Sequence, residues 1–532
     1  MKKISIIAAV ILSVAAVSCT KLSVNVESEL TPDNFPNNPE SYIAATGPVY
    51  TQLRSIYAVD YWRMQELSTD EAIIPARDGN YDDGGQYRFL HMHTWGPDHP
   101  NVKSNWEWGF GGINSCNRLI SLFEANSGNA TAKTTIAEMR TMRALYYFFM
   151  MDLYGNVPII STFPVVGQPA TAPRAEVFAF IEKELKEAIP NLSASAGAIT
   201  YGRPTKWMAF TLLEKLYLNA QYYTGTAKYT ETVAMADSVL DRAKSIYSLD
   251  ADYMTIFAPE NGPQIKETIF AVPFDPNVAE GNHFTRFGLH TAVQTKYAIP
   301  FRPSIALSTI KNFYQKFNLT NDARNVQWLA GKQYENNGAP IIIKSTKKGV
   351  DASYTGADGS AAIDYQLDFT PDMPLVKPAT MDVGNDELGK AKGVRSIKFY
   401  PDKNSNPSTR YQGNDMPVLR LADVMMMKAE AILRGAAPTT VNGELQTADV
   451  LVNKIRSRAK APIAVGITLD QLLDERAREF AWEGWRRNDL IRFGKFESTW
   501  GFKTNTETFR RIYPVPTSER SLNPNLVQNQ GY

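Results

Sequence analysis

Apolar positions recur every three or four residues through both ends of the chain and lose that order in between. Ile136 to Leu153 is rich in apolar residues, and Gly155-Asn156-Val157-Pro158 stops it, which predicts a helix with a Gly/Pro exit. Thr205 to Tyr223, ended by Gly225, and Tyr229 to Ala243 read as an antiparallel helix pair. Leu421 to Leu433 and Thr447 to Ala459 read as another pair, joined by a loop from Gly435 to Gly443. Leu469 to Phe493 is expected as one helix: Thr468 and Gln471 can form a capping box, and Leu473, Ala477, Phe480, Ala481 and Trp485 fall on one face. Asp474 with Arg478, and Glu483 with Arg487, have the four-residue spacing of ion pairs on a solvated helix face.

From Asp70 to Asn105, and again from Gly331 to Asn414, Gly, Pro, Asn, Asp, Ser and Lys displace the periodic pattern, with short β-like pieces such as Ile341-Ile342-Ile343. The expected fold is mainly α: tetratricopeptide-like helix pairs form a scaffold that supports a loop-rich layer with short β pieces. Residues 1–18 are expected to be a signal peptide and 19–532 a single domain. Its helical scaffold falls mainly in 40–70, 106–245 and 417–500, and its loop-rich layer mainly in 70–105 and 255–415.

Lys2 and Lys3 precede an apolar run from Ile4 to Val17, too short to span a bilayer and typical of an export signal. Its end, Ala16-Val17-Ser18-Cys19, resembles a bacterial lipobox, so Cys19 is expected to carry the lipid anchor. The remaining Cys116 is then expected to be a buried apolar side chain. With 56 Lys plus Arg against 55 Asp plus Glu, the net charge of +1 gives no basic footprint for nucleic acid.

His91 and His93 have the same-face spacing of a strand, with His99 and Asp98 nearby, but no fourth ligand is compelled and no metal or cofactor is expected. Carboxylate pairs for glycoside hydrolysis are always available among 55 acids, so Asp82 and Asp98 carry no special signal, and nucleophile-elbow and P-loop motifs are absent. Tyr81, Tyr87, Phe89, Trp95 and Trp106 stand out, interspersed with Arg77, Asp78, Asn80, Asp82 and Asp98 on an irregular segment. Rings stack on the C–H faces of sugars, while Arg, Asn and Asp satisfy hydroxyls.

Five segments together resemble the SusD/RagB family of nutrient-binding lipoproteins. They are Arg143-Ala144-Leu145-Tyr146-Tyr147 leading to Tyr154-Gly155-Asn156-Val157-Pro158; Pro417 to Glu430; Asn453 to Ala459; Glu475 to Leu490; and the ending from Arg511-Ile512-Tyr513-Pro514 to Gly531-Tyr532. The resemblance implies an outward-facing lipoprotein of the bacterial outer membrane. It would capture oligosaccharides, a starch-like glucan among them, and pass them without chemistry to a TonB-dependent β-barrel transporter. A minority of the family takes peptides. Carried over by position, Arg77, Trp95 and Asp98 would contact the sugar, Asp98 standing where Asn is usual. Phe284 and Tyr297 would add rings from the 280–300 region, beside Tyr81 of the aromatic loop. A glycan-cleaving enzyme is the reading from another class.

Overall fold

A computed structural model describes residues 35, 38–125, 130–279, 281–345 and 363–532. The expected lipidation site, Cys19, lies outside them. The fold is mainly helical with few short strands. The longest helices are Pro100–Glu124 and Ala130–Tyr154, which pack on each other. Gly112 allows their close approach: the Tyr146 ring occupies the place of a side chain there. Cys116 is fully buried in the same helix. Arg174–Ala188, Lys206–Leu218 and Tyr229–Arg242 continue the stack, and Leu421–Leu433 with Ala448–Arg458 adds the second pair. Thr205 and Thr447 cap two of these helices through their hydroxyls. The Gly435–Gly443 connection folds into a hairpin, Thr439–Val441 against Glu444–Gln446.

The expected helix from Leu469 to Phe493 is two. Thr468 and Gln471 do form the capping box, but the first helix ends at Phe480 and a second runs Arg486–Arg492. Between them Trp482 and Gly484 adopt left-handed backbone, at φ 64° and 83°. The turn drives Trp482 inward against Trp62, Phe284 and Trp328, at ring-centroid distances of 5.4, 5.9 and 6.3 Å.

The charges on these helices do not form a solvated face. Glu475, Arg476, Arg478, Glu479, Glu483, Arg486, Arg487 and Asp489 are all buried. Asp474 pairs with Lys316 rather than Arg478, and Glu483 with Arg420 and Lys398 rather than Arg487. Arg420, at the junction of strand Met416–Arg420 and the next helix, bonds Glu483 at 2.7 Å, Glu479 at 3.1 Å, and Glu267. Arg324 reaches Asp322 and Glu475 at 2.7 Å and Glu479 at 3.2 Å. Arg458 closes the network on Glu267 at 2.8 Å and on Glu479. Burial pushes the Glu479 carboxyl up, but Arg458, Arg420 and Arg324 outweigh it and hold it well below the ordinary carboxylate range.

Truncating Arg420 leaves three carboxylates buried without their shared cation. Arg420→Met is therefore expected to cost about 3–5 kcal/mol of stability, read as a large drop in melting temperature by calorimetry. A melting temperature within a degree of the parent's would contradict the structural role given to the network.

Candidate functional site

Four segments remote in sequence meet at a half-buried shelf of rings and guanidinium groups. The first is the loop after Ala76. Arg77 and Asn80 exchange backbone hydrogen bonds across a tight turn in which Asp78 and Gly79 have positive φ. The Asp382 carboxylate accepts from the Asp78 and Gly79 amides at 2.9 and 3.2 Å and from Gly384 at 2.7 Å. Tyr81 follows in left-handed backbone, φ 62°, and its hydroxyl donates to the Ser304 carbonyl. This places the ring, half-buried, on the shelf.

The second segment is the short helix Phe284–Gly288. Phe284 points into the core and Arg286, two residues on, falls on the opposite side; Phe287 packs at the core's edge, half-buried, with His283 just before them. The third is the loop 406–412, where Arg410 has φ 63° and Tyr411 lies flat on the His283 ring, centroids 4.6 Å apart and planes 9° apart. Asn282 and Gln412 join these two segments through paired backbone bonds of 3.2 Å. Gly281 permits that approach, because a side chain there would collide with the Gln412 carbonyl. Arg63 is the fourth contribution; its guanidinium lies 5.3 Å from the Tyr87 ring centre and 5.4 Å from that of Phe287, and is paired to Asp60 at 3.0 Å. Arg286 lies 5.1 Å from the same Phe287 ring.

Electrostatically the shelf is cationic. Burial, then the charges of Arg286, Arg63 and Arg410, lower the His283 pKa to about 3, so the imidazole is neutral at physiological pH. Burial and then Arg410 lower that of Arg286. Neutral His283 and Tyr411 therefore offer a stacked pair of flat rings beside fixed positive charge.

Of the six ligand-contact residues expected from the sequence, only Tyr81 joins this shelf. Arg77 is fully buried and its guanidinium serves the carbonyls of Gly389 and, at 3.3 Å, Lys392. Trp95 is 1% exposed; its indole N–H donates to the Tyr532 hydroxyl at 2.7 Å, and its ring packs on Tyr513 at 4.6 Å and His93 at 4.9 Å. Phe284 sits in the core between Trp62, Phe399 and Trp482. Tyr297 is buried in a smaller core cluster, edge-on to Tyr400. Asp98 is exposed on the turn before the Pro100–Glu124 helix. Burial takes Arg77, Trp95, Phe284 and Tyr297 out of reach of a ligand in this conformation.

His91 and His93 belong to a helix end rather than a strand, and His93 takes left-handed φ. Their Nε2 atoms meet the Phe502 amide at 3.3 Å and the Ser68 carbonyl at 2.8 Å. No pattern in the sequence marks Arg63, His283, Phe287, Arg410 or Tyr411. Helical phase marks only Arg286, which falls opposite Phe284; Phe287, three residues on, shares Phe284's side of the helix and carries no such signal.

A roomy cavity lies elsewhere, about 860 Å³ between the helices Tyr229–Arg242, Leu421–Leu433 and Ala448–Arg458. Tyr247 is its one ring, among aliphatic and charged side chains, so it lacks a stacking platform.

Comparison with known proteins places the chain. Residues 266–510 match the family model described as the SusD family, and residues 46–218 match one described as starch-binding, associating with the outer membrane. The chain belongs to the SusD family. It is 27% identical over 422 residues to the starch-binding protein SusD of Bacteroides thetaiotaomicron, covering 74% of this chain and 72% of that protein. A SusD-like protein of Bacteroides ovatus is 25% identical over 509 residues, covering 93% and 83%. A SusD superfamily structure from Parabacteroides distasonis superposes with a TM-score of 0.71 at 22% identity, over 95% of this chain and all of that one. The surface glycan-binding protein A of Bacteroides thetaiotaomicron, in complex with laminarihexaose, gives 0.68 at 19%, over 92% and 99%.

Trp95→Ala should act on stability rather than on a ligand. A buried Trp truncation costs about 3–5 kcal/mol, so a much lower melting temperature is expected. A variant that melts like the parent yet loses ligand binding would show instead that Trp95 is a contact residue.

Proposed function

We propose that the chain is a non-catalytic glycan-binding protein, lipid-anchored at Cys19 on the outer membrane and facing outward, that holds an oligosaccharide on the Tyr81–Phe287–Tyr411 shelf and hands it to a TonB-dependent β-barrel transporter. The observation that carries the binding site is the shelf itself: half-exposed rings flanked by planar donors, the chemistry that grips a sugar's C–H face and hydroxyls together. The names of the relatives support the ligand class, since they are binding proteins for starch and for laminarin-type glycans. The outer-membrane description of one matching model supports the location. An open shelf with few rings binds weakly after ordering and desolvation costs. Asp82, one of the acids weighed for hydrolysis, is drawn to Arg88 at 3.6 Å.

Calorimetric titration of the chain lacking its first 19 residues, against a panel of glycans and peptides, tests this reading. One glycan class is expected to bind, and Tyr81→Ala or Tyr411→Ala to weaken it about tenfold or more, a loss of at least about 1.4 kcal/mol, at an unchanged melting temperature. Binding confined to peptides, or new reducing ends on incubation with glycan, would overturn the reading.

A further inference from the structure

We propose that the shelf selects an acidic oligosaccharide, one whose sugar rings carry a carboxylate or sulfate; this rests on the shelf being the glycan site. The observation is an imbalance of charge at a built surface. Arg63 has its acid, Asp60 at 3.0 Å, and Arg88 has Asp82 at 3.6 Å. Arg286 and Arg410 have none: among the described residues neither guanidinium forms a salt bridge, although they lie close enough to repel each other. Of the other acids of this loop, Asp78 pairs with Lys377 at 2.8 Å and Asp83 faces Tyr87 and Tyr81.

Further arginines lie buried behind the Tyr81 loop. Arg77 and Arg395 are both fully buried and form no salt bridge among the described residues, although the buried Asp382 carboxylate acts on Arg77. The Nε of Arg77 and the Nε and Nη1 of Arg395 find no hydrogen-bond partner, nor does the Nε of Arg286. Arg286 and Arg410 thus keep a positive charge at the surface that a neutral sugar does not relieve.

An oxyanion does relieve it. Guanidinium groups present parallel donors that match a carboxylate or sulfate edge-on, and such charge-assisted pairs are shorter and stronger than those to hydroxyls. The rings and the cations then divide the work. Tyr81, Phe287 and the Tyr411–His283 stack take the sugar's faces, and Arg286 with Arg410 takes its charge. Because His283 stays neutral in this field, selectivity comes from the arginines at any pH near neutrality. Part of the attraction acts across water, so added salt should weaken it.

The test titrates the chain with oligogalacturonate, a sulfated oligosaccharide, and neutral maltohexaose and laminarihexaose. The expected result is tenfold or tighter binding of one acidic ligand over the neutral ones, weakening from low salt to 0.5 M. The carboxylate and sulfate arms tell which oxyanion is taken. Arg286→Gln and Arg410→Gln should each remove most of that preference at an unchanged melting temperature, and Arg286→Lys, which keeps charge but not the fork, should restore only part. Neutral glycans binding as tightly as acidic ones, with Arg286→Gln and Arg410→Gln silent, would overturn the inference and leave glycan binding standing. Failure of every glycan, acidic or neutral, would overturn both.

Discussion

A lattice of buried ion pairs centred on Arg420, Arg324 and Glu479 holds the two textures of this chain together. Its members come from a short 3-10 turn at Asp322 and Arg324, from Lys398, from Glu267 just before the strand Thr268–Val272, from the strand–helix junction at Arg420, and from the helices Ala448–Arg458 and Leu469–Phe480. Burying such charges is costly, and apolar side chains would give comparable stability. What charges supply here is direction: each guanidinium accepts only a few positions for its carboxylates, so the loops can dock on the helices in one way. Arg476, held by Asp423 at 2.9 Å and Asp489 at 2.7 Å, extends the same constraint across the break between the two C-terminal helices. The opposing effects are visible at Asp423, whose carboxyl burial pushes up while Lys215 and Arg476 bring it down to about 2.

The shelf depends on that docking through one side chain. The break at Trp482 sends its ring into a nest with Trp62, Phe284 and Trp328. Phe284 plugs the nest, which fixes the phase of its short helix and sets Arg286 outward, with Phe287 half-buried at the core's edge. The ligand-facing groups are thus oriented from inside, by packing, while their own tips remain half-exposed.

The scaffold helices were legible because they obey a 3.6-residue period; Thr468 accepts the expected capping bond, and Thr205 and Thr447 cap their helices in the same way. The fate of the charged helix was not legible. A run such as Glu475-Arg476-Ala477-Arg478-Glu479 has the same periodicity whether it faces water or other charges, and its partners Arg324, Lys398 and Arg420 stand far away in sequence. The site failed to show for the same reason, since residues 63, 81, 283–287 and 410–411 converge only in space. Trp95 misled because an irregular segment was read as surface, whereas the chain's last residues, Tyr513 and Tyr532, cover it.

The central claim is that sugar is held on the Tyr81–Phe287–Tyr411 shelf with its charge against Arg286 and Arg410. A crystal structure of the chain with a bound acidic hexasaccharide tests it most directly. A sugar ring stacked on these side chains, with an oxyanion within hydrogen-bond distance of the two guanidiniums, is expected. Sugar lodged instead in the large cavity between the scaffold helices, or against a Trp95 ring swung out of the core, would contradict it.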